Sequence, residues 1–120
     1  MITKDNLAAL LTHPDFGFSK KGNIYRREYP QGASIEVNFD TQKITYAPVD
    51  SLFKEGEFPS KDKPAKGFVI HRDTTLNFSA NENFVCLVCV HLLLKKGYEP
   101  KHLVFEPAFK VGHVNKPSYG

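Results

Sequence analysis

The chain has 120 residues, a net charge of +3, 41% hydrophobic and 24% charged residues, the profile of a single soluble globular domain. No apolar run approaches the ~20 residues of a membrane span. The N-terminus "MITKDNLAALLTHPDF" lacks a signal peptide's apolar block and cleavage site, so a cytoplasmic protein without membrane contact is expected. The mild positive charge permits contact with nucleic acid without marking it.

In chain order, residues 3–13 read as a short helix that Thr3 or Asp5 can cap, with Leu7, Leu10 and Leu11 on one face. Pro14 and "DFGF" end it. The alternating, β-branched stretch that follows predicts an antiparallel meander: strands over 24–29, 34–38 and 43–46, with turns at "PQGA" and "DTQK". Ile35 and Val37 against Glu36 and Asn38 give it one wet face. Residues 49–66, rich in Pro, Gly and charge, read as a surface loop between residues 1–48 and 67–120. "FVIHR" predicts a short strand.

The helix after it is apolar on nearly every side, from Phe84 to Leu94, which calls for cover by a sheet and by other helices. "SANE" spells a capping box with Ser79 as cap and Glu82 three residues on. Lys95, Lys96 and Gly97 suit its end. "HLVFEPAFKVG" reads as a strand, with Pro107 forcing a bulge or an edge position. The expected fold is therefore α+β in one domain.

The candidate functional residues are few. Lys20, Lys21, Arg26 and Arg27 can contact phosphates, and the same residues suit a solvated strand surface. Tyr25 and Tyr29 read as core residues or as stacking platforms. Cys86 and Cys89 form a CxxC, but inside an apolar helix and without a second ligand pair they read as buried thiols rather than as a redox or zinc motif. Glu82 is a cap by spacing alone.

Helix acid, apolar body, "KKGYEP" and "LVFEPAFKVG" together resemble the opening of the nuclease domain in type I restriction R subunits and related restriction–modification enzymes, a PD-(D/E)xK fold. The resemblance covers residues 77–120. It implies that Glu82 corresponds to a helix acid that helps hold Mg²⁺, and that Gly97, Tyr98 and Glu106 match the turn and first core strand. It further implies DNA as substrate, other domains or subunits of a restriction system as partners, and a metal-binding Asp and an acid-x-Lys pair beyond Gly120. On that expectation this chain is an N-terminal part of an endonuclease and is inactive by itself.

Overall fold

The computed structural model describes residues 2–51, 53, 57–70, 73–106 and 110–113, with side chains up to Phe105. The fold is α+β. Helix α1 (Lys4–Thr12) opens with Thr3, whose amide donates to Asn6 Oδ1 at 2.8 Å, and it buries Leu7 and Leu11. Four strands follow as an antiparallel meander in chain order: β1 (Ser19–Lys21), β2 (Ile24–Glu28), β3 (Ser34–Asn38) and β4 (Lys43–Ala47). β2–β4 match the expected strands to within one residue at each end, and β1 is an addition that three exposed residues without alternation did not announce.

The meander's register sets its two faces. Tyr25, Val37 and Ile44 lie opposite one another and are buried, as are Ile35 and Tyr46. At the second turn Asn38 Oδ1 accepts from the amides of Asp40 and Thr41 at 2.9 and 3.1 Å, an Asx turn that starts one residue pair before "DTQK".

A second sheet has the order β5 (Val69–Ile70), β6 (Leu103–Glu106), β7 (Lys110–His113), with β5 parallel and β7 antiparallel to β6. Here "HLVFEPAFKVG" departs from the expected single strand. Phe105 pairs with Val111 and Glu106 with Lys110, a register that only a chain folding back on itself allows. The bulge expected at Pro107 and the strand residues His71 and Arg72 lie outside the described residues.

The described part of residues 49–66 forms no helix or strand, as a loop should, but it is not all surface. Phe53 and Ala65 form a small buried cluster with Val69 and Val104 on one face of the second sheet. Asp50 donates its amide to the Phe68 carbonyl at 2.9 Å and accepts the Lys66 amide at 2.9 Å. The opposite face carries Leu103 and Phe105, which share one continuous core with α1, the meander and helix α2 (Glu82–Lys95). Period-two alternation in "LVF" thus feeds two cores from one strand.

Glycine is required at two of the joints. Gly97 sits at φ +100° just beyond α2, donating to the Leu94 carbonyl while Tyr98 donates to Leu93, the paired bonds of a Schellman stop. Gly67 lies so close to Pro48 that a Cβ there would stand 2.5 Å from the Pro48 carbonyl oxygen. Gly67→Ala is expected to lower unfolding free energy by about 1–3 kcal/mol through forced separation of the two segments. Gly97→Ala, with open space around it, is expected to cost about 1 kcal/mol from backbone conformation alone. Urea unfolding of both variants checks the order.

Candidate functional site

The start of α2 differs from the sequence expectation. Ser79 is not the cap: its amide donates to Asn77 Oδ1 at 2.9 Å, and residues 78–80 form a bend. The helix begins at Glu82, after Asn81, with no side-chain cap hydrogen bond. Asn83 does the tethering instead. Its buried amide donates to the carbonyls of Thr74 and Asn77, each at 3.0 Å, binding the approach segment to the first turn. That competing local network is why the capping box did not form. Glu82 is therefore an exposed first-turn residue, with no hydrogen bond or ion pair among the described residues. Its charge still suits the helix's positive end.

Glu82 contributes one carboxylate and no more. Among the described residues no group of three His, Cys, Asp or Glu side chains could hold a metal ion. Mg²⁺ prefers near-octahedral oxygen coordination, so the residues present do not by themselves make a site for it. Glu106 ends β6, and its side chain lies outside the described part.

The basic residues of the meander are not brought together. Ser19 pairs with Arg26 and Lys20 with Tyr25, which puts Lys21 and Arg26 on the outer face, Lys20 and Arg27 on the inner one. Arg26 is flanked by Glu28 at 3.2 Å and Glu36 at 3.8 Å. Arg27 is half-buried, donates to the Phe16 carbonyl and lies 4.8 Å from the centre of the Tyr29 ring. Lys20 lies 5.7 Å from the Tyr25 ring centre, and Lys21 is exposed. Tyr25 and Tyr29 are both buried, the core reading of the two.

The cysteines lie on different sides of α2's buried boundary: Cys86 is buried and Cys89 half-buried, both as free thiols. Burial, reinforced by the neighbouring Cys89, pushes the Cys86 thiol up to about 12, and burial raises Cys89 too. Both shifts oppose the thiolate that redox chemistry needs.

The most organised polar cluster surrounds His91, a residue that carries none of the sequence expectations. The residue is fully buried on α2. Its Nε2 lies 3.1 Å from the Asp15 carbonyl and its Nδ1 2.8 Å from the Tyr29 hydroxyl. A carbonyl only accepts, so Nε2 carries the proton, Nδ1 accepts, and Tyr29 donates. Phe16 stacks on the ring at 4.2 Å. Lys95 also donates to the Asp15 carbonyl, at 3.2 Å. A helix apolar on nearly every side with one His inside it was the available signal; the partners of that His, far away in sequence, were not visible.

No protein-family profile, curated protein or solved structure matches this chain. Among the described residues no helix is long and apolar enough to cross a membrane.

Burial, with Arg27 and Lys95 adding positive charge, holds the His91 pKa below its ordinary value, against the opposing effect of the Asp15 carbonyl. With a folded pKa below the unfolded one, the stability linked to neutral His91 is complete above the unfolded value of about 6.5 and is lost as pH falls below it. Urea midpoints measured from neutral to mildly acidic pH should fall for the wild type. His91→Gln should start lower and show a shallower fall.

Proposed function

We propose that this chain is the N-terminal part of a cytoplasmic DNA restriction–modification protein, where it contributes the first helix and strands of a metal-dependent endonuclease acting on DNA. The observation that carries this reading is Glu82. It is exposed, it opens α2, and it is free of the capping role its spacing suggested. The order of elements supports the reading as well: α2, a sharp glycine turn, the buried strand β6, then β7 antiparallel to it. In a PD-(D/E)xK enzyme the bound Mg²⁺ supplies electrostatic stabilisation and an activated water. In this proposal Glu82 provides one of several carboxylates, and the others come from outside the described residues. The partners are DNA and the remaining domains or subunits of the same system.

A second reading is a non-catalytic binding module. Val85 and Leu92, 54% and 49% exposed on α2, favour a protein partner for it over a DNA contact through Arg26 and Arg27, which are engaged by Glu28 and by the Phe16 carbonyl.

Glu82→Gln in the full-length parent separates the two. The endonuclease reading predicts cleavage reduced about 10- to 100-fold, the usual scale for a supporting metal-site residue, with an unchanged thermal midpoint. Unchanged cleavage, or a parent gene without Asp and acid-x-Lys codons after Gly120, leaves the binding module. In this chain alone the same substitution should shift stability by no more than about 0.5 kcal/mol, because the side chain is exposed.

A further inference from the structure

We propose that α2 is a contact between two copies of this chain, packed antiparallel across a two-fold axis at Cys89. The inner arc of α2 buries Phe84, Leu87, Val90, His91 and Leu94. The outer arc is one line of residues at alternating spacings of three and four: Glu82, Val85, Cys89, Leu92 and Lys96, just past the helix end. That spacing is the seam of a helix pair. Val85 and Leu92 are 54% and 49% exposed, and Cys89 is half-buried between them. Scattered exposed apolar residues are ordinary, but these are aligned.

The charges at the two ends select the occupant. Glu82 and Lys96 are exposed, and neither has an ion-pair partner among the described residues. Glu82 precedes Cys89 by as many residues as Lys96 follows it. An antiparallel second copy therefore sets Glu82 against Lys96 of the partner subunit, and Lys96 against Glu82 of the partner subunit. The same register brings Cys89 to its own copy and Val85 within one residue of level with Leu92 of the partner subunit. A parallel pair would oppose like charges at both ends. The line is thus self-complementary, the property a two-fold interface requires, and opposed helix dipoles add to it. The rim pairs set direction more than affinity and leave the Glu82 carboxylate solvated. A contact through one helix of 14 residues, about 21 Å long, is small. It falls below the roughly 1,200 Å² of stable complexes, so association is concentration-dependent.

This inference stands apart from the endonuclease reading, because it is tested by mass and not by cleavage. Sedimentation velocity over a concentration series should show a monomer–dimer equilibrium. Leu92→Glu, at a half-exposed site that tolerates charge in the monomer, should abolish it. Lys96→Glu should weaken association about tenfold or more through like-charge repulsion. Glu82→Lys combined with Lys96→Glu should restore it, since each swapped charge again faces its opposite. Diamide at mildly alkaline pH should join two chains through Cys89: each thiol gives up a proton, the two together give two electrons to diamide, and one S–S bond forms as diamide becomes its hydrazine. Cys89→Ser should prevent the covalent dimer, and Cys86→Ala should not. A monomer at every concentration would overturn the proposal and leave this face to another partner. So would a dimer indifferent to Leu92→Glu, or a charge swap that fails to restore association.

Discussion

His91 imposes the constraint on which the placement of α2 depends. An imidazole with no solvent access needs a partner at each nitrogen, since a buried unpaired polar group costs about 1–3 kcal/mol. The partners come from two separate parts of the chain: the Asp15 carbonyl just after α1, and the Tyr29 hydroxyl just after β2. The ring therefore fixes the rotation of α2 about its axis as well as its depth. Apolar packing alone could not do so, because this helix is apolar on almost every side and would sink equally well at several angles. Gln31 reinforces the choice, donating to the carbonyls of Leu94 and Tyr98 at 2.7 and 2.8 Å.

Once that rotation is set, the rest of the helix surface follows. Leu87, Val90 and Leu94 go inward to the meander and second sheet, and Val85 and Leu92 are left outside. Glu82 and Lys96 fall on the same outer line. The features on which a functional reading can rest are thus consequences of an internal polar contact. Arg27 belongs to the same arrangement: it holds the Phe16 carbonyl beside the stacked Phe16 and His91 rings, a structural use of a residue that sequence alone offered to phosphate.

Much of this fold is legible in the sequence wherever the determinants are local. Alternation at Ile35 and Val37 located β3, and Gly97 after two lysines located the end of α2, because pleat and left-handed backbone leave residue-level marks. The expectation failed where residues outside the motif decide. "SANE" satisfies the capping pattern, yet Asn77 and Asn83 form a competing network that starts the helix later. "HLVFEPAFKVG" carries strand propensity throughout, and only the Phe105–Val111 pairing shows two strands. The apolar excess of α2 predicted cover on several sides, and a polar anchor instead left one line uncovered. The candidate site was legible only as residue types: Glu82 was found, but its freedom from capping was not.

The most direct measurement is the ¹⁵N and ¹³C spectrum of the His91 imidazole from neutral to mildly acidic pH. A neutral ring protonated at Nε2, with Nδ1 as acceptor, is expected to persist below the pH at which exposed histidines titrate. A ring protonated at Nδ1, or one that charges like an exposed histidine, would contradict it. Either result would mean that His91 does not orient α2 and that its outer line must be reassigned.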